Sequence, residues 1–350
     1  MGGMRLGVVL DYADDFAEAV EDVREFERMG VDVVGVAEAY SFDAVSRLGY
    51  LAAVTDRIAL ASSIFPVYSR TPALIAMTSA GLDSVSGGRF ELGIGSSGPQ
   101  VIEGFHGVPF TAPLGRIRDV VEICRTVWRR ERLDYAGRYY SAPLPADKGT
   151  GLGKPLKLIN EPVRSAIPID IAALTPRAVA QAAEIADGWM PLFFHPERVA
   201  QAWGEALEAG KQVRDPALGP LDVIVEMPLY VGDDSDEAFE FYRNRIALYV
   251  GGMGAKGANF YNDLVTRYGF ADEAALVQEL YLTGRKSEAA QAIPEELVRA
   301  TSLIGSESIV RDRLAAFAAA GATTISVQPT ARTREVRVES VRALRELMAA

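Results

Sequence analysis

Short apolar, β-branched runs alternate along the chain with stretches whose apolar residues recur every three or four positions. The runs predict strands at residues 6–10, 33–37, 58–64, 90–95, 167–172, 188–194, 223–231 and 324–328. Most are nearly continuous in apolar residues, the pattern of strands buried on both faces of a parallel sheet. The intervening stretches predict amphipathic helices. Phe16, Val20, Val23 and Phe26 form one stripe, and Ile117, Val121, Cys124 and Trp128 another. Thr71-Pro72, Thr175-Pro176 and His195-Pro196 place proline in a first turn, where an N–H is not needed. Gly30 and Gly321 close helices shortly before strands. Eight strand–helix units predict an α/β fold, a (β/α)8 TIM barrel; an open doubly wound sheet is the alternative and usually has fewer strands. Residues 131–165 and 251–300 do not fit the repeat and read as insertions after the fourth helix and the seventh strand, suited to binding loops, lids or subunit contacts. The whole chain reads as a single barrel domain.

Composition narrows the chemistry. The 350 residues carry a formal charge of −11, which argues against general binding to nucleic acid or to anionic membranes. The N-terminal apolar stretch is too short for a signal peptide, and no run approaches the roughly 18 apolar residues of a membrane span, so the expected location is the cytoplasm. Cys124 is the only cysteine and lies on a helical stripe, as a small buried apolar residue. His106 and His195 are the only histidines; with no HExxH or CxxC spacing and no GxSxG elbow, metal and Ser-His-Asp chemistry are not expected.

Several segments at predicted strand ends are candidates for ligand contact. Gly95-Ser96-Ser97-Gly98 follows a strand and suits either an amide-lined anion site or a tight turn. Leu174-Thr175-Pro176-Arg177 opens a helix, and serves either as a plain N-cap or as an anion site reinforced by Arg177. Tyr12, Glu38, Tyr40, Phe65, Tyr68, Phe193 and His195 also fall at or just beyond strand ends, a mouth suited to a flat ring. Gly252-Met253-Gly254-Ala255-Lys256-Gly257 matches GxGxxG in form only. It follows a predicted helix, and reads as a flexible connection to a lid rather than a dinucleotide fingerprint.

VAEAYSFDAVSRLGYLAAVTDRIAL, SIFPVYSRTPALIAMTSAGLDSVSGGRFELGIGSSGPQVIEGFHGVPF and PIDIAALTPRAVAQAAEIADGWMP resemble the luciferase-like monooxygenase superfamily of flavin and deazaflavin TIM barrels. The AEAY and SGPQVIEGFHGVPF phrases resemble its branch that uses coenzyme F420, a deazaflavin hydride carrier. The resemblance implies a cofactor ring at the C-terminal mouth of the barrel, buttressed by a non-prolyl cis peptide at Ser63-Ile64. It implies a phosphate cradle from Gly95, Ser96, Ser97 and Gly98 together with Ala173, Leu174, Thr175 and Arg177. Many deazaflavin members carry Asp-His after the second strand; here that place reads Glu38-Ala39. Glu38 keeps a carboxylate, Ala39 cannot transfer a proton, and His106, His195 or water are the candidate replacements. The implied activity is an F420-dependent oxidoreductase acting on a small organic substrate. An FMN-dependent monooxygenase and a non-catalytic flavin-binding barrel are the alternatives. A homodimer is implied by the same resemblance.

Overall fold

The structure, a computed structural model, describes residues 3–12, 15–254 and 256–349. Eight parallel strands close into a ring: β1 (Arg5–Leu10), β2 (Val33–Val36), β3 (Ala59–Ser62), β4 (Phe90–Gly95), β5 (Ile169–Ala172), β6 (Gly188–Met190), β7 (Asp222–Val231) and β8 (Thr324–Pro329). Each pairs with the next in sequence. Closure comes from β8 against β1, with Leu6 opposite Ile325 and Val8 opposite Val327. The closed ring excludes the open doubly wound sheet.

All eight predicted strands are barrel strands, and their ends differ for local reasons. β6 stops at Met190, short of residue 194, because Pro191 has no N–H to continue the ladder and Phe193 turns at φ +54°. β3 ends at Ser62, and the Ser63-Ile64 peptide just beyond it is cis. The prediction missed a three-residue strand, Leu303–Gly305. It runs parallel to Leu229–Val231 of β7, along the edge that β6 pairs only at Asp222 and Val223.

Alternation along β1 shows how the barrel is filled. Leu6 and Val8 are buried in the shell shared with Val20, Val23 and Phe26 of the helix Phe16–Arg28. Burial of each such side chain contributes on the order of 1.5–3 kcal/mol. Gly7 points the other way: a Cβ there would lie 2.9 Å from Ser326 Oγ and 2.9 Å from Val33 Cγ1. The N-terminal end of the barrel is plugged by charge. Arg5 pairs with Glu91 at 2.7 Å and lies 3.7 Å from Asp222, and burial near Glu91, Asp222 and Asp187 pushes the Asp170 carboxyl well up. The C-terminal end is left for function.

The predicted helix signals have their expected partners in two cases. Thr71 and Thr175 accept from the amides of Leu74 and Ala178, at 3.2 and 3.3 Å. His195 precedes a single 3-10 turn, Pro196–Arg198, without a side-chain cap. Cys124 is buried, and burial pushes its thiol pKa up.

Residues 131–165 include a hairpin, Tyr135–Ala136 with Ser141–Ala142, fixed to the helix Pro113–Trp128 through Asp119. That carboxylate accepts from the Tyr135 hydroxyl at 2.9 Å and from the amides of Tyr139 and Tyr140. Residues 251–300 carry the helices Phe260–Arg267, Ala271–Leu282, Lys286–Gln291 and Glu295–Ala300. Ala255 of the GxGxxG match lies outside the described residues. Gly251 and Gly252 are places of close approach: a Cβ on either would come within 2.5 Å of Tyr281. Packing against Tyr281 therefore accounts for these two glycines without a hinge.

Candidate active site at the barrel mouth

One wall of the mouth is built where β3 ends. Glycines of the flanking strands clear space for the Ser62–Ile64 backbone. A Cβ on Gly93 would lie 1.9 Å from the Ser62 carbonyl oxygen, one on Gly35 would lie 2.6 Å from Ser63 Oγ, and one on Gly95 would lie 3.0 Å from Ile64 Cδ1. The Ser62 hydroxyl donates to the Gly93 carbonyl at 2.8 Å and accepts from its amide at 3.0 Å. Phe65-Pro66 then pairs beside Ile94 and Gly95.

Glu38 belongs to the same wall. Its two oxygens accept from Arg70 at 2.5 and 2.8 Å, and Oε2 also accepts from the Ala44 amide at 2.9 Å. Arg70 in turn lies over the Phe65 ring, 4.5 Å from its centre. Both side chains are nearly closed to solvent, 7% exposed for Glu38 and 12% for Arg70. A carboxylate committed in this way positions Arg70 and the helix Ala44–Val54. The catalytic expectation for Glu38 thus falls on a carboxylate whose two oxygens already accept from Arg70 and the Ala44 amide.

The two predicted cradle loops are neighbours, because β4 and β5 pair directly with Ile94 opposite Ile171. Ser97 turns at φ +57°, and the Ser96 hydroxyl donates to the Ser97 carbonyl at 3.1 Å. Among the described residues the amides of Ser96, Ser97 and Gly98 donate to no protein acceptor. That leaves three donors for an anion. Across from them, Ala173 is anchored by its amide to Met190 at 3.3 Å and by its carbonyl to Trp189 Nε1 at 2.9 Å. The Leu174 carbonyl accepts from Trp203 Nε1 and Arg267, and Thr175 caps the helix Pro176–Ile185. Arg177 lines an open groove of about 400 Å³ between the helices Pro113–Trp128, Pro176–Ile185 and Glu205–Gln212, shared with Leu114, Arg118, Glu184 and Gly210.

The opposite wall was missed by sequence reasoning. Glu226 of β7 lies beside Arg245 of the helix Asp236–Ala247, with Oε1 accepting from Nη2 at 3.4 Å. Phe193, Tyr249 and Tyr261 pack edge-to-face around this pair: the Tyr249–Tyr261 ring centres are 4.8 Å apart and the Phe193–Tyr249 centres 5.5 Å apart. Burial and the nearby Asp11 push the Glu226 carboxyl up, against the pull of Arg245. Burial pushes the Tyr12 and Tyr261 hydroxyls up as well. The signal in the sequence was a lone carboxylate inside an apolar strand, DVIVEMPLYV.

The two histidines separate. His106 follows the short helix Pro99–Gly104 at the rim, its ring 5.3 Å from that of Phe105, which lies 6.3 Å from Tyr40. Its Nε2 is buried without a hydrogen-bond partner. His195 is only 2% exposed, with Nδ1 3.1 Å from Glu197 and Nε2 3.8 Å from Glu296. Burial pushes its pKa down, opposed chiefly by Glu197. Its partners lie on the 3-10 turn and the helix Glu295–Ala300, and its ring is 5.4 Å from Tyr268. The contacts of His195 thus lie between the β6 loop and the second insertion rather than with Glu38 or the cradle loops. Among the described residues, no group of three or more His, Cys, Asp or Glu side chains could hold a metal ion. No helix among them is long and apolar enough to cross a membrane.

Comparison with known proteins adds a family context. Residues 4–324 match the family model for luciferase-like monooxygenases. A protein of Mycobacterium tuberculosis, named as a coenzyme F420-dependent oxidoreductase, is 40% identical over 334 residues, 93% of this chain and 95% of that protein. The 5,10-methylenetetrahydromethanopterin reductase of Archaeoglobus fulgidus is 26% identical over 87% of this chain and 86% of its own length. The structure of the coenzyme F420-dependent tetrahydromethanopterin reductase from Methanopyrus kandleri superimposes with a TM-score of 0.79 at 23% identity, covering 97% of this chain and 98% of that one.

Proposed function

Since the chain belongs to the luciferase-like monooxygenase family, we propose that it is a coenzyme F420-dependent oxidoreductase acting on a small organic substrate. The near full-length likeness to the M. tuberculosis protein carries this reading. When bound, the deazaflavin accepts or donates a hydride at the carbon that replaces flavin N5. The chain's own residues bind and orient it. The amides of Ser96, Ser97 and Gly98 meet the phosphate, with Gly95 and Ala173 shaping the floor of the cradle. The helix start at Leu174–Thr175 adds its partial positive charge, and Arg177 a full one. Ser63 and Ile64 support one face of the ring. The aromatic side chains opposite exclude water from the reacting carbon. His106 remains the rim histidine nearest these groups in sequence and contacts substrate in this reading.

The functional test is anaerobic oxidation of reduced F420 by a panel of small organic acceptors, beside oxygen uptake with reduced FMN. Acceptor-dependent appearance of oxidised F420 supports the proposal. Oxygen uptake with reduced FMN and no F420 turnover replaces it with a monooxygenase.

The same reading includes a homodimer in the cytoplasm. The helices Ala44–Val54 and Pro72–Val85 pack side by side and expose Tyr50, Leu74, Met77 and Val85. Their only charged residues, Arg47 and Asp83, are buried. Such an uncharged outer face suits a two-fold contact with its own copy. Sedimentation equilibrium of the purified protein measures the mass that decides it.

A further inference from the structure

We propose that Glu226 is the catalytic acid and base of the reaction, delivering the substrate's proton and recovering it, on the wall of the mouth opposite Ser63-Ile64. The inference rests on the hydride-transfer reading above and assigns the proton that accompanies the hydride. In a ring of eight strands β3 and β7 lie four places apart in either direction, and so face one another across the axis. A flat ring supported on the β3 side turns its free face, and any substrate stacked there, toward β7.

Glu226 has the geometry for proton exchange that Glu38 lacks. Its contact with Arg245 is single and long, at 3.4 Å, and Oε2 accepts no hydrogen bond from the described residues. Its side chain keeps 22% exposure although it lies deep in the fold, and its register opposite Ser326, itself opposite Gly7, sets it on the inner face of the barrel. The charged and titratable groups around it are Arg245 and Tyr242 of one helix, Tyr249 of the π-helical turn after it, Tyr261 of the second insertion, and Asp11 and Tyr12 after β1. Arg245 is the only cation in that group. Burial, with Asp11, raises the protonated fraction of Glu226 at a given pH, and Arg245 opposes it. This is the balance a group needs to give up and regain a proton near working pH.

The chemistry also selects the substrate bond. Hydride reaches the electron-poor carbon of a C=O or C=N group, and the π electron pair moves to the heteroatom. The heteroatom takes the proton of the Glu226 carboxyl. Water then returns a proton to the carboxylate, while the N–H proton of the oxidised carrier leaves to solvent. In the reverse direction the Glu226 carboxylate accepts the proton of an alcohol or amine as hydride departs. Phe193, Tyr249 and Tyr261 flank the site, so the carbon should carry apolar substituents.

Two measurements separate this inference from the reading beneath it. Infrared difference spectra of the cofactor-free protein, wild type minus Glu226→Gln, are recorded from pH 4 to 9 in steps. The expected result is a protonated-carboxyl band that disappears at a pH above the ordinary carboxylate range, and that persists in Glu38→Gln. No such band, or a band titrating in the ordinary range, overturns the assignment whether or not F420 binds. Fluorescence titration of F420 and turnover of reduced F420 with ketones and imines follow. Glu226→Gln should bind F420 within about threefold of wild type and lose roughly 100-fold or more in turnover, together with the pH dependence of kcat. Unchanged turnover or an unchanged pH profile refutes the role. Failure of wild type to bind F420 refutes the parent reading, and leaves the infrared result to report on Glu226.

Discussion

The two walls of the mouth each carry an arginine–carboxylate pair, and the pairs differ in how completely they are closed. Glu38 and Arg70 meet through both carboxylate oxygens, with the Ala44 amide as a third donor and Phe65 beneath the guanidinium. Glu226 and Arg245 share one contact at 3.4 Å and keep about a fifth of each side chain exposed. A closed pair fixes geometry, because both oxygens already accept hydrogen bonds that a change of partner would break. An open pair leaves an oxygen free for a substrate and a pKa set by competing burial and charge. The contrast matches the proposed division of labour, with the β3 wall supporting a ring and the β7 wall exchanging a proton with what lies against it.

The closed wall can be broken most severely at Gly93. A methyl group there would sit 1.9 Å from the Ser62 carbonyl oxygen, a backbone atom that cannot rotate away. Gly93→Ala should lower stability by at least about 3 kcal/mol, in the range of severe overpacking. Urea unfolding followed by circular dichroism measures it, and a cost below 1 kcal/mol would show that the β3 wall yields more easily than its packing implies.

Arg70→Met tests the pair itself. It leaves Glu38 enclosed without its cation, and should cost about 3–5 kcal/mol in the same assay at pH 7. A loss below 1 kcal/mol would show that the pair does not hold this wall together.

These contrasts were only partly legible in the sequence. All eight barrel strands could be read, because strands buried on both faces leave continuous apolar runs. Leu303–Gly305 could not, since three residues are too few for a period and the strand exists only to cover an edge of β7. The Gly95–Gly98 and Leu174–Arg177 loops stood out because each follows a run and opens a helix. Glu38 was visible as a carboxylate at a strand end, but its closure by Arg70 depends on a contact 32 residues away. Glu226 was hidden for the opposite reason: one acidic residue inside a run of apolar ones does not disturb the strand pattern. Its neighbours Arg245 and Tyr249 come from the helix after β7 and the turn that follows it, and Tyr261 joins them only through the second insertion.

His195 gives the smallest expected effect and a control outside both walls. Burial depresses its folded-state pKa below the unfolded value near 6.5. Neutral His195 therefore contributes stability fully above about pH 6.5, and that contribution is lost as pH falls through the depressed folded value, because the unfolded chain binds the proton more readily. In thermal melts from pH 8 to 5, wild type should lose more stability than His195→Gln. Equal slopes would place His195 outside the acid response.

The central claim, a mouth built for a deazaflavin with a long anionic tail, is tested most directly by paired titrations of F420 and FMN at low and high ionic strength. FMN ends in one phosphate, which the cradle amides can meet. F420 continues into a phospholactyl-polyglutamate tail, which a chain of charge −11 repels unless local cations receive it. Arg177 follows the second cradle loop and lines a groove between the outer helices, and Lys148, Lys154 and Lys157 are exposed on the first insertion. The account predicts that F420 binds more tightly than FMN at low salt, and that the difference narrows as salt screens the tail. Tighter binding of FMN at both ionic strengths would contradict it.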